Sequence, residues 1–223
     1  MIELIIYVGA RALVALIVLY LLAGIRFVPN TRVGIVEKRF ALKGSVKSGF
    51  IALNNESGFQ PKVLRGGLHY LWAIVYVVRL VPLVTIPQGK MGYIFARDGK
   101  QLEPTQSLAA NDIAFDFQDV DAFMKSGGQR GPQRRVLREG TFAINLVQFI
   151  VLTDERVYSM PLSREEVSVI QGMATVIAER GGFFPVIIKD TDDKIGIATV
   201  HDGPSLAQGE IIAPVTGDDP KNA

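Results

Sequence analysis

Side chains able to perform chemistry are sparse in this chain of 223 residues. It contains no cysteine and two histidines, His69 and His201. Without cysteine there is no disulfide, zinc–thiolate site, iron–sulfur cluster or thiol nucleophile. Two histidines leave little for a His-based metal site or a catalytic triad. Asp112, Asp116, Asp119 and Asp121 form the one acidic cluster that resembles an acid/base pair of a hydrolase. Asp119 and Asp121, however, flank an expected helix start, where carboxylates are stabilised by the helix dipole. Capping is the favoured reading, and an enzyme would have to rely on Asp112 or Asp116. Asp190, Asp192 and Asp193 resemble half of a calcium loop, but neither the central Gly nor the closing Glu is in register. His201, Asp202 and Ser205 lie together on one turn, whereas triads draw their members from separated segments.

Gly127–Arg135 is Gly-rich and basic but lacks the Lys and Ser/Thr that let a P-loop reach phosphate and magnesium. Arg130, Arg134 and Arg135 suit a subunit contact, a lipid-headgroup cradle or a solvated loop. No cofactor or metal site is expected, and the reading is non-enzymatic. Nucleic acid is not expected as a partner, because 24 Lys and Arg against 22 Asp and Glu give a net charge of only +2.

The elements that would position these residues begin with an apolar segment. Leu4–Ile25 holds a single charge, Arg11, and its 22 residues span about 33 Å as a helix, enough for a bilayer core of about 30 Å. Arg11 near the bilayer centre would cost about 3 kcal/mol. A span sliding to 10–27 places Arg11 and Arg26 at its two edges, from which both snorkel to the headgroups. Leu13, Leu16, Ile17, Leu19, Tyr20, Leu21 and Leu22 form the expected anchor. Glu3 in the leading segment and the lack of an A-x-A pattern argue against a cleaved signal peptide. Arg26, Arg32, Lys38, Arg39 and Lys43 follow the span, so the positive-inside rule puts the bulk of the chain in the cytoplasm.

The remainder reads as α+β. Strands are expected at 31–40, 74–86, 91–96, 141–152, 183–189 and 195–200, with Pro82 marking an edge or bulge. A short helix is expected over 119–126. A longer one starts at Ser163, where Ser163 and Glu166 form a capping box, and ends at Gly181-Gly182. Its apolar face is Val167, Ile170, Met173, Ala174 and Ile177. Leu68–Val78 reads as a buried hairpin. The alternative is a surface dipping into a membrane interface through Tyr70, Trp72 and Tyr76. Residues 90–102 align with residues 194–206, sharing a Lys, a Gly, an Asp-Gly turn and a Leu. This repeat suggests tandem modules, the second breaking off, as in the first part of a longer protein. The expected organisation is an anchor at 1–28, a strand-rich segment at 29–89, a first repeat module at 90–160, and 161–223 beyond it.

Several runs carry a family resemblance. Val33–Phe40, Val63–Leu71 and Val81–Pro87 resemble the opening of an SPFH (band 7) domain, the family of stomatin, prohibitin and flotillin. Ile86–Gly99, Phe117–Asp119, Gly127–Arg135 and Arg138–Asn145 are similar to runs of bacterial flotillin-like inner-membrane proteins. Two departures stand out. Leu71 is followed by Trp72 where the family often has Pro, and the Ala/Glu/Lys-rich coiled coil of such proteins has no counterpart here. The resemblance implies tandem SPFH-type modules behind a single-pass helix in a bacterial inner membrane. It implies a scaffold that assembles into rings or cages of many copies, organising membrane microdomains and associated proteins. The partners implied are the lipid bilayer, further copies of the chain and another small membrane protein. The alternative is a membrane-tethered adaptor of a transporter or protease complex.

Overall fold

The computed structural model describes residues 1–104, 106–110, 117–187, 197, 199, 208, 209, 211 and 212, with the backbone alone at 2–5 and 164. The protein is mixed α+β, and every ladder between its strands is antiparallel. It divides into two compact units, Met1–Leu83 and Val84–Ala223. The second copy of the repeat, at 194–206, and the expected strand at 195–200 lie outside the described residues, save Ile197 and Thr199.

The first unit starts with α1, Ile2–Ala23, built from residues that favour helix and carry little polar competition for the backbone. It stops at Gly24, whose N–H donates to Leu21 O at 3.1 Å. Arg26 Nη1 donates to the last-turn carbonyl of Ala23 at 2.6 Å, satisfying an acceptor that the helix leaves open. The chain then enters β1 (Ile25–Val28), which pairs with β4 (Gly67–Tyr70). A span over 10–27 is therefore corrected. Arg26 and Phe27 are held in register opposite His69 and Leu68, so the helix cannot continue through them.

A second sheet places β2 (Arg32–Lys38) between β3 (Gly58–Leu64) and β5 (Tyr76–Pro82). Val33, Ile35 and Val36 are buried, as befits a central strand covered on both faces. Two prolines sit where a sheet tolerates them. Pro82 closes edge strand β5. Pro61 lies in edge strand β3, where the pairing slips between Ile35 and Glu37. Leu68–Val78 is not a buried hairpin. Its two strands pair with different partners, β4 with β1 and β5 with β2, and the corner between them faces outward.

The second unit contains β6 (Val84–Ile86) paired with β9 (Gly140–Phe142). A four-stranded sheet runs in the order β11-β10-β7-β8, comprising Val157–Tyr158, Phe149–Leu152, Tyr93–Ala96 and Gly131–Pro132. The apolar run at 74–86 is thus two strands, split at Leu83, and they belong to different units. All four residues of β10 are buried, and their alternation feeds two clusters. Phe149 meets Phe123 and Phe117 edge-on, with ring centroids 5.0 and 5.3 Å away. Ile150 and Leu152 pack instead with Ile170 and Phe183.

Two helices complete this unit. α2 (Val120–Lys125) is capped by Asp119, whose Oδ1 accepts from Ala122 N at 3.0 Å, and Asp121 pairs with Lys125 at 2.6 Å. α3 (Arg164–Glu179) starts at Ser163, whose Oγ accepts from Glu166 N at 3.3 Å. Ile170 is buried, with Ala174 and Ile177 packed beside it, but Met173 is exposed. Residues 183–187 form a turn and irregular chain, not a strand, and Phe183 is spent as a core plug.

Candidate functional site

α1 is the one described helix long and apolar enough to cross a membrane. Its window Ile6–Ala23 has no part buried against the rest of the protein. Leu13, Leu16, Ile17, Leu19, Tyr20, Leu21 and Leu22 are all exposed on it. Arg11 falls within this window and not at its edge. Its guanidinium lies 4.4 Å from the centroid of the Tyr7 ring, one turn nearer the N-terminus. That placement draws the charge toward the start of the window at Ile6, about 7.5 Å away along the axis at about 1.5 Å per residue.

The other end of α1 is joined to the first unit without a linker. Leu71 N donates to Gly24 O at 2.9 Å. The Tyr70 ring lies flush against Gly24, where a Cβ would stand 2.7 Å from Tyr70 Cε2. The surface beside this junction is apolar and aromatic. Ile25, Phe27, Leu68, Tyr70, Trp72 and Ile74 are exposed, with Trp72 at 61%. Tyr76, at the start of β5, is half-buried. His69 Nε2 donates to Arg65 O at 2.7 Å, so its ring serves the loop that carries this surface.

A groove of about 590 Å³ opens next to the junction. Phe40, Leu42 and Lys43 line one wall, and Tyr70, Leu71, Trp72 and Val75 line the other. Lys38 and Tyr76 contribute to the same lining. Lys38 is only 8% exposed, and its Nζ donates to Asn55 Oδ1 at 2.6 Å and Asn55 O at 3.0 Å. Asn55 itself has φ of 67°, a left-handed conformation that Asn tolerates better than most residues. This groove is the main feature that sequence reasoning missed. Its pieces come from 38–43, 55 and 70–76, which no local sequence signal brings together.

The basic run in the second unit is not a free loop. Gly131 and Pro132 form β8, Arg130 N donates to Lys100 O at 2.8 Å, and Gln133 N donates to Ile94 O at 2.8 Å. Arg130 and Arg134 project from this strapped backbone as exposed side chains, and Arg135 is half-buried. Gly131 and Pro132 thus form a sheet edge within this run, while Arg134 and Arg135 follow it in a bend. Asp112, Asp116, Asp190, Asp192, Asp193, His201, Asp202 and Ser205 lie outside the described residues. Among the described residues no three His, Asp or Glu side chains converge.

Runs that suggested a family serve structure in this protein. Phe117 plugs the aromatic cluster, Gln118 Oε1 accepts from Ala143 N at 3.1 Å, and Asp119 caps α2. Arg97 is a deeply buried charge of the second unit, at 5% side-chain exposure. Its Nε donates to Glu166 at 2.5 Å and its Nη1 to the carbonyls of Leu146 (2.9 Å) and Val147 (2.7 Å). Burial pulls the Arg97 pKa below its ordinary value, opposed by the carboxylate. Burial pushes Glu166 up, but Leu162 N–H, Arg97 and the helix start outweigh it and hold this carboxyl below the usual range. Lys90 titrates above its usual range through its hydrogen bond to Asp154, and burial raises the Tyr93 hydroxyl. No family model, curated protein or solved structure matches the chain.

Proposed function

We propose that the chain is a non-enzymatic, membrane-anchored scaffold that assembles as a homo-oligomer of many copies and organises membrane microdomains and their proteins. The observation that carries the membrane part is the junction at Gly24. An apolar helix with no covered face runs, without a linker, into a β unit whose adjoining surface is apolar and aromatic. Aromatic rings with polar edges favour the headgroup level of a bilayer. Tyr70, Trp72 and Tyr76 would meet that level while α1 spans the core. The cations after the helix support a cytoplasmic location for both β units, in a bacterial inner membrane.

The assembly part rests on the SPFH resemblance of the runs named above, tandem modules included. Exposed arginines on a hydrogen-bonded edge give a rigid surface for a head-to-tail contact between neighbouring copies. Arg130, Arg134 and Arg135 would supply that contact. The test is the size of the intact particle after extraction in mild detergent, by mass photometry or electron microscopy. A closed particle of many copies is expected. Replacing Arg134 and Arg135 with Glu should shift it to smaller species, and an unchanged particle would refute their role. A monomer with a stoichiometric partner would favour the adaptor reading and remove self-assembly as the function.

A further inference from the structure

We propose that the groove of the first unit is a binding site for an anionic phospholipid drawn from the bilayer that α1 enters. This rests on the membrane reading above. The argument starts from Lys38. A lysine is rarely buried without an opposite charge, because desolvating an ammonium is costly. Lys38 is 8% exposed, yet no carboxylate pairs with it among the described residues. Its charge is met by two oxygens of Asn55 and, 6.0 Å away, the face of Tyr76. An ammonium has three donors, and the third has no acceptor among the described residues. A phosphate oxygen in the groove would supply both the acceptor and the missing negative charge.

The rest of the lining fits the remainder of such a lipid. No acidic side chain lines the groove, and Lys43 adds a second cation at its exposed rim. Phe40, Leu42, Leu71, Trp72 and Val75 offer an apolar wall to the glycerol and upper acyl segments. A volume of about 590 Å³ suits a headgroup with its glycerol and the first acyl segments, but not whole acyl chains. Position decides between a lipid and a soluble anion. Leu71, in the wall, is hydrogen-bonded to Gly24, one residue beyond the apolar window of α1. The groove therefore opens at the depth of the headgroups, where lipid is the concentrated anion.

Trp72 is the only tryptophan of the chain and lies in the wall, so its fluorescence reads the occupant directly. The full chain would be reconstituted in phosphatidylcholine vesicles containing phosphatidylglycerol, with brominated acyl chains carried by one lipid or the other at equal mole fraction. Each lysine at a bilayer surface is worth about a fivefold enrichment of anionic lipid. Brominated phosphatidylglycerol should therefore quench Trp72 more than brominated phosphatidylcholine. Lys38→Met should abolish the excess. Lys43→Gln, an exposed change with little consequence for folding, should reduce it severalfold. Lys62→Gln removes the same charge from β3 outside the groove and should leave the excess intact. Equal quenching by the two lipids would overturn the site while leaving the interfacial surface standing. An excess that survives both Lys38→Met and Lys43→Gln would also overturn it. No quenching by either lipid would overturn the membrane-interface reading itself.

Discussion

Replacing Glu166 with Gln should release α3 from the second unit at a cost of about 3 kcal/mol. Arg97 is 5% exposed at its side chain and Glu166 22%, so their contact is largely shielded from water. One arginine nitrogen, Nη2, is buried with no partner among the described residues. The site already tolerates one unmet donor, and among the described residues the carboxylate is its only charge compensation. Removing one member of a buried pair costs about 3–5 kcal/mol, because the surviving charge stays desolvated. The partial exposure of Glu166 places the value at the lower end. Gln is nearly isosteric, so the loss is not one of shape. Both Glu166 oxygens accept, one from Arg97 at 2.5 Å and the other from Leu162 N at 3.0 Å. An amide has a single oxygen and must turn its NH2 toward one of these two donors. The assay is hydrogen exchange of the α3 amides in the intact protein, read as opening free energy. At about 1.4 kcal/mol per tenfold, protection should fall by about two orders of magnitude. Arg97→Met combined with Glu166→Gln should recover part of the loss. The charge is then gone, Leu146 O keeps its bond from Met160 N at 2.9 Å, and only the Val147 carbonyl loses its partner. Unchanged protection in Glu166→Gln, or strictly additive losses in the double variant, would refute the reasoning.

The same pair sets a pH dependence. Glu166 titrates below its ordinary value of 4.5 in the folded protein, so its contribution is complete above that value. It is lost as pH falls through the depressed folded pKa, and exchange of α3, corrected for intrinsic rates, should accelerate only in that acid range. Gly24 should resist enlargement. Its φ of −79° suits any residue, but a Cβ would press on the Tyr70 ring at 2.7 Å and on Leu71 O at 3.0 Å. Gly24→Val should cost about 1–3 kcal/mol through overpacking and expose Arg26 to trypsin in detergent, whereas Gly9→Val, with open space around its Cα, should not.

Local signals were legible in the sequence wherever the cause was local. Asp119 and Ser163 announced the starts of α2 and α3 because a cap acts within three residues. β2 and β7 were visible as β-branched and aromatic runs, whereas the single strand expected at 141–152 is two, β9 and β10, parted by a turn at 143–148. What stayed hidden depended on distant partners. β1, β3, β8 and β11 are short or contain Pro or Gly, and they become strands only because another strand accepts them. Met173 obeys the helical period yet lies exposed, while Ile170, Ala174 and Ile177 pack against the cluster of Ile150, Leu152 and Phe183. The aromatic content of Leu68–Val78 suggested a core, since composition cannot tell a covered ring from one facing a bilayer. The decisive fact was pairing: β4 turned to β1, next to the helix end, and β5 to β2.

That pairing also explains why the apolar helix and the β unit act as one piece. A transmembrane helix followed by a flexible linker would leave the soluble part free to rotate and to choose its depth. Here β1 begins one residue after Gly24 and is laddered to β4 over four residue pairs. The backbone of Leu71 and the ring of Tyr70 then brace Gly24 from the far side. Moving Trp72 away from the helix end would require breaking this ladder, so the separation between Trp72 and α1 is set by the fold. Arg26 reinforces the coupling, because its side chain occupies the Ala23 carbonyl while its backbone is paired with His69. In the membrane-anchored assembly proposed above, a surface fixed in this way would present the same rings to the headgroups in every copy. Neighbouring copies in one bilayer would then share one height and one tilt, which a regular array of many copies requires.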